Sequence, residues 1–121
     1  MFLMHQMESK QMLPSIVFTV AQNFSRRPGG RRIANGRFSG EEFRETVALR
    51  LLQEYDHVVF DLTGSAGYSS GFLDEAFGGL IAHFSLEELQ RRIEIIAADD
   101  PGAVEIAWDR MKDAAKEARS H

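Results

Sequence analysis

A chain of 121 residues has room for one packed core and too little material for two. At 44% hydrophobic and 26% charged it has an ordinary globular composition, which excludes collagen-like, coiled-coil and disordered classes, and its lack of cysteine excludes disulfides, thiol nucleophiles and thiolate metal sites. Of its 14 basic side chains, Arg26, Arg27, Arg31, Arg32 and Arg37 crowd into one acid-free stretch and the remaining nine face 18 acids, so broad nucleic-acid binding is not expected and any anion contact is local.

Residues 1–14 are Met- and Gln-rich and end at Pro14, and they read as an N-terminal tail ahead of a domain spanning 15–118. They carry neither the basic start nor the cleavage pattern of a signal peptide, and no apolar run in the chain approaches the ~20 residues that cross a bilayer, so a soluble cytoplasmic protein without membrane association is expected. Ser15 to Val20 is β-branched and aromatic and predicts the first strand, with Ile16, Phe18 and Val20 on one face. Arg, Pro and Gly dominate from Ser25 to Gly36, which predicts a loop, with a short strand allowed at its start.

Ser39-Gly40-Glu41-Glu42 is a capping box, in which a serine hydroxyl accepts from the amide three residues on and the glutamate reaches back. It opens a helix to about Tyr55, with Phe38 and Phe43 placed as a hydrophobic staple and Phe43, Val47, Leu51 and Tyr55 as the apolar stripe. His57 to Leu62 is nearly continuous apolar β-former, the pattern of a central parallel strand buried on both faces. A turn-rich stretch leads to a second helix from Ser69 or Ser70 that lays Leu73, Phe77, Leu80, Ile81 and Phe84 inward. Ser85-Leu86-Glu87-Glu88 repeats the capping box and starts a short helix to about Gln90, Ile93 to Ala97 is a third strand, and Asp100-Pro101 caps a last helix bearing Val104, Trp108, Met111 and Ala115. The alternation of strands and helices predicts an α/β fold, a mostly parallel sheet flanked by helices in βαβα order.

The stretch from Asp61 to Leu80 is the most distinctive. It lies at the carboxyl end of the predicted central strand, where open α/β sheets place ligands, and its two hydroxyls, Ser69 and Ser70, stand at a helix start where free amides favour negative charge. Two roles stay open for them: capping the helix, with Gly64, Gly67 and Gly71 shaping the turn, or serving as a modified or binding group. Asp61 ends its strand, where a carboxylate more often caps the next turn, and no base neighbours it; Asp74 and Glu75 lie about 100° apart on a helix and are not aimed at one proton. These two acids read instead as favourable to the helix dipole. No catalytic residue is assigned. Gly78-Gly79 within a helix costs roughly 1 kcal/mol per residue relative to Ala, which points to close packing on the sheet or on a second copy, a homodimer. His57 and His83 lack ligand spacing with any other histidine, and neither a metal nor a cofactor is expected.

The Asp61-Leu62-Thr63-Gly64 opening and the Ser69-Ser70-Gly71 step into a helix resemble the STAS domain of sulfate transporters and bacterial anti-sigma-factor antagonists. Gly67-Tyr68-Ser69-Ser70 followed by Phe72-Leu73-Asp74-Glu75-Ala76-Phe77-Gly78-Gly79-Leu80, with Gly29-Gly30-Arg31 and Ser39-Gly40-Glu41 upstream, is more closely similar to the STAS-like family of unknown function, over about Ser15 to Met111. In the antagonists an Asp precedes Ser-Ser-Gly, and the first serine is phosphorylated by a kinase that the domain otherwise sequesters. The resemblance therefore implies Ser69 as the phosphorylated residue and an ATP-binding regulatory kinase or ATPase as the partner. Tyr68 occupies the place of that Asp, and the loop from Asp61 is one residue shorter.

The expectation is thus a non-enzymatic regulatory module, with Ser69 or Ser70 as the phosphorylation candidate and Arg31, Arg32, Asp61, Tyr68 and Asp74 framing a partner-binding end of the sheet. The alternative is a small-molecule or nucleotide site in which the Arg26–Arg37 loop captures an anion.

Overall fold

The computed structural model describes residues 11–120. Three parallel strands, β1 (Leu13–Thr19), β2 (Tyr55–Asp61) and β3 (Ile93–Ile96), form one sheet in the order β1-β2-β3. The central strand is the one expected. The first strand begins inside the segment read as tail, whose residues 1–10 lie outside the described residues. The register pairs Ile16 with Val58 and Phe18 with Phe60 on one side, and Val58 with Ile93 and Phe60 with Ile95 on the other.

These residues share one face, and all helix packing is on it: Val58, Phe60, Ile93 and Ile95 are buried. The opposite face carries Ser15, Val17, His57, Val59, Asp61, Glu94 and Ile96, none of them buried, and Val17 is 60% exposed. The expectation of a strand buried on both faces is corrected accordingly. β2 is apolar at Val59 because of its strand propensity and its exposed cross-strand neighbour Val17, while a single helical layer covers the other side.

Val20, expected as the end of the first strand, instead opens a helical turn, α1 (Val20–Asn23), that seats it in the core, and the loop expected from Ser25 to Gly36 holds a 3₁₀ turn (Ile33–Asn35) and no strand. Helix α2 covers residues 40–54, with α-helical turns at Gly40–Phe43 and Leu49–Glu54 separated by a π-helical segment, Arg44–Ala48. The Thr46 hydroxyl donates to the Glu42 carbonyl at 2.8 Å, the kind of back-bond that loosens a helical ladder. The wide turn rotates the inward face, so that Phe43 is followed by Ala48, Leu51 and Leu52 as the buried set, and Val47 is left half-buried.

The second predicted helix divides into α3 (Ser70–Ala76) and a 3₁₀ segment (Gly78–Ala82), burying Phe72, Leu73, Ala76, Phe77 and Leu80. After α4 (Leu86–Arg92) and β3, α5 (Pro101–Ser120) lays Ala103, Ala107, Met111 and Ala115 inward. Val104 and Trp108 flank that stripe half-buried, one position out of the expected phase, because the small alanines let α5 approach α3 and the 3₁₀ segment closely. Phe43 is the hub of the core. Its ring lies 5.3 to 6.2 Å from those of Phe18, Phe24, Phe60, Phe72 and Phe77.

Candidate functional site

The carboxyl ends of β1 and β2 are overhung by two loops, the arginine-rich segment after α1 and the Thr63 to Tyr68 loop before α3. Asp61 closes its own strand by accepting from the Thr63 amide at 3.0 Å, and Asp99, after β3, accepts from Gly64 at 3.0 Å. Gly64 and Gly67 turn the loop with φ of 95° and 146°, a region that side chains disfavour. The Ala66 amide then donates to the Arg26 carbonyl at 2.8 Å, which joins the two loops by their backbones.

Tyr68 enters the protein below that junction. Its hydroxyl donates to the Leu62 carbonyl at 2.9 Å and its ring packs on Phe72 at 5.6 Å. Burial pushes its phenol above the usual tyrosine range, the Ser65 hydroxyl draws it partly back, and the nearby carboxylates of Asp99, Asp61 and Asp100 raise it further. The aromatic residue thus plugs the end of the sheet where the resemblance places an aspartate.

Ser69 is exposed and makes two connections. Its Oγ accepts from the Phe72 amide at 3.0 Å, capping α3, and donates to the Gly29 carbonyl at 3.3 Å. Ser70 is exposed at the first helical position. Gly29 is held in turn by its amide to the Phe38 carbonyl at 2.8 Å, and a Cβ there would collide with the Arg37 carbonyl. Beside Ser69, Arg31 reaches across Gly71 to pair with Asp74, and its second acidic neighbour Glu75 lies at 3.7 Å. The hydrogen bond to Asp74 raises the Arg31 guanidinium above its ordinary value, against the opposing effect of burial. Arg32 is exposed, and it is its backbone amide, not its guanidinium, that contacts Asn35 Oδ1 at 3.2 Å. The fold therefore gathers Arg31, Asp74, Tyr68, Ser69 and Asp61 at one end of the sheet and leaves the Arg32 side chain outside this network.

Asp74 and Glu75 have a different role from the expected one of complementing a helix dipole. Glu75 binds Arg44 of α2 at 3.0 Å, with both side chains mostly buried, and Arg44 Nη1 also donates to the Glu75 carbonyl. Burial alone would lower the Arg44 guanidinium, but the hydrogen bonds it donates to Glu75 and Glu45 outweigh it and the net direction is upward. Gly79 admits that guanidinium, since a Cβ would collide with Arg44 Nη1, and a Cβ at Gly78 would press on Asp74 Oδ1 at 3.0 Å. Gly40 brings α2 against α3, with the Phe72 carbonyl where its Cβ would stand.

Arg92 was not singled out by sequence reasoning. It donates to the carbonyls of Leu52 at 2.6 Å, Tyr55 at 2.9 Å and Asp56 at 3.0 Å, while Glu88 holds it at 3.0 Å, so it closes the end of α2 and the entry to β2. An Arg at the last turn of a helix leading into a strand is the only sequence signal it left. Among the described residues no group of three His, Asp or Glu side chains has metal-binding geometry, and no helix is long and apolar enough to cross a membrane.

The family model described as STAS-like domain of unknown function (DUF4325) matches residues 39–103, from the Ser39 cap through β2, α3 and β3 to the start of α5. No curated protein and no solved structure matches the chain.

Proposed function

From the premise that the chain belongs to the STAS-like domain family of unknown function, we propose that it is a non-enzymatic regulatory module that binds a protein partner at the Ser69 end of its sheet, under control of phosphorylation at Ser69. The partner class is an ATP-binding regulatory kinase or ATPase, as the likeness to anti-sigma-factor antagonists implies, in the cytoplasm. One observation carries the reading: the exposed Ser69 hydroxyl holds both the first turn of α3 and the Gly29 carbonyl of the arginine loop. A phosphate there adds roughly 1.5 to 2 negative charges and removes the proton that Oγ donates to Gly29. It would therefore change the charge and the shape of the same surface, with Arg31 beside it across Gly71. Tyr68 in place of the aspartate makes that surface less acidic, so the partner differs in its contacts from the kinases that recognise the Asp-Ser-Ser-Gly pattern.

The experiment is quantitative capture from native lysate, with ATP, by the parent chain and by Ser69→Ala and Ser69→Asp, each followed by phosphosite mapping of the bait. The proposal expects a retained ATP-binding protein, phosphate on Ser69 of the parent, and retention altered more by Asp than by Ala. Equal retention by all three chains leaves Ser69 a helix cap and removes the regulatory reading.

A further inference from the structure

A separate feature of the same end of the molecule is the cleft between the two overhanging loops. It has a volume of about 480 Å³ and is lined by Arg26, Arg27, Gly64, Ser65 and Ala66. A second cleft of about 280 Å³ continues it past Arg26 and Gly64 to Thr19, Gln22 and Thr63. Together they run along the carboxyl ends of the adjacent parallel strands β1 and β2, and the volume of the larger is in the range of small-molecule sites.

The charges around the cleft are sorted in a way that composition alone does not reveal. Arg31, Arg44 and Arg92 are each committed to a carboxylate, Asp74, Glu75 and Glu88 respectively. Among the described residues neither Arg26 nor Arg27 is in an ion pair, and both are exposed on the cleft wall. Asp61 accepts from the Thr63 amide and Asp99 from the Gly64 amide. They brace the loop. The Ala66 amide bonded to the Arg26 carbonyl ties the arginine loop to the Gly64-Ser65-Ala66 turn, so two exposed guanidiniums border a space whose two walls are joined by their backbones.

We propose that this cleft binds the phosphate group of a small phosphorylated molecule, with Arg26 and Arg27 as the charged donors and the Gly64-Ser65-Ala66 loop as the floor. Phosphate suits two planar guanidiniums better than a single carboxylate does, because its tetrahedral oxygens accept from both forks at once. The net −9 balance of the chain outside its arginine segment excludes an extended polyanion, which would have to cross acidic surface beyond the cleft. The proposal is independent of Ser69, whose hydroxyl lies on the Gly29 side of the arginine loop.

The test is an NMR titration of the full chain with inorganic phosphate and, in a parallel arm, ribose 5-phosphate, against sulfate and citrate at equal ionic strength. Saturable shifts confined to the amides of Gly64, Ser65 and Ala66 are expected. The tighter of the two phosphate arms tells whether free phosphate or a phosphomonoester is the ligand class. Arg26→Gln with Arg27→Gln should weaken binding by about tenfold or more, the factor that loss of a charge-assisted hydrogen bond commonly gives, while Arg31→Gln and Arg32→Gln leave it unchanged. Both replaced side chains are exposed and the loop junction uses the Arg26 carbonyl, and the same spectra report whether the fold is kept; single variants replace the double one if it is not. Absence of saturable shifts, equal shifts with sulfate and citrate, or equal weakening by the Arg31 and Arg32 variants overturns the proposal.

Discussion

Tyr68 exchanges a charge for a buried ring at the point where the family resemblance has aspartate, and the exchange sets how this end of the sheet responds to pH. Its phenol is held above the ordinary value of 10.0, chiefly by burial. The folded state then retains the proton where the unfolded state has begun to lose it, so the contribution of this group to stability is constant below about pH 10 and falls as pH rises further through the folded value. Thermal denaturation of the parent should show that alkaline decline, and Tyr68→Phe should show less of it while losing about 1 kcal/mol at neutral pH through the missing bond to the Leu62 carbonyl. Identical slopes for the two proteins above pH 10 would place the titrating group elsewhere. Ser69→Ala should cost a similar ~1 kcal/mol for the lost cap, and Ser69→Asp, itself a good cap, should recover most of it in urea denaturation. These two side chains show the limits of sequence reading at this scale. Ser69 was legible as a cap because capping is a local, fixed spacing; its second bond, to Gly29, spans 40 positions and had no local signature.

Between elements, the contacts that matter are those that a one-dimensional pattern does not carry. The caps at Ser39, Ser69 and Ser85 all form as the spacing predicts. The partners of the capping glutamates do not: Glu42 accepts from Phe38, which sits at φ 58°, and Glu88 turns to Arg92. The Phe38–Phe43 staple is likewise bridged by Phe24, whose ring meets both edge to face, because the left-handed turn at Phe38 aims its ring at the incoming loop. The Gly78-Gly79 pair was readable as a sign of close packing, but the group packed there, the Arg44 guanidinium, is 35 positions away on another helix. That pairing makes a sharp expectation. Gly79→Ala should destabilise by roughly 1 to 3 kcal/mol because Arg44 must leave Glu75, and the same substitution made on an Arg44→Ala background should cost much less. A double-mutant cycle by chemical denaturation measures the coupling, and additive costs would show that Gly79 serves some other contact. Gly40→Ala should be the more damaging change, since it meets the Phe72 backbone and not a movable side-chain end.

Over the whole molecule, alternation of strands and helices was enough to place β2 at the centre of a parallel sheet, because short right-handed crossovers leave few other arrangements. The one-sidedness of the sheet was not legible. Val58, Val59 and Phe60 are consecutive apolar residues, and periodicity cannot distinguish a strand covered on both faces from one whose outer positions keep β-branched side chains beside exposed neighbours. The layered structure settles the matter: Phe43 stands amid five other phenylalanines on the covered face, while Val17 on the other is 60% exposed. The two faces should therefore respond very differently to loss of apolar surface. Phe43→Ala should cost about 3 to 5 kcal/mol, a large part of the roughly 5 to 15 kcal/mol that holds a domain together, and should shift the urea midpoint steeply with little change in slope. Val17→Ser should move stability by no more than about 0.5 kcal/mol, as exposed substitutions do. Equal costs at the two positions would mean that the face bearing Val17, Val59 and Ile96 is buried in solution, and a concentration-dependent midpoint for the parent but not for Val17→Ser would then identify a second copy of the chain as what covers it.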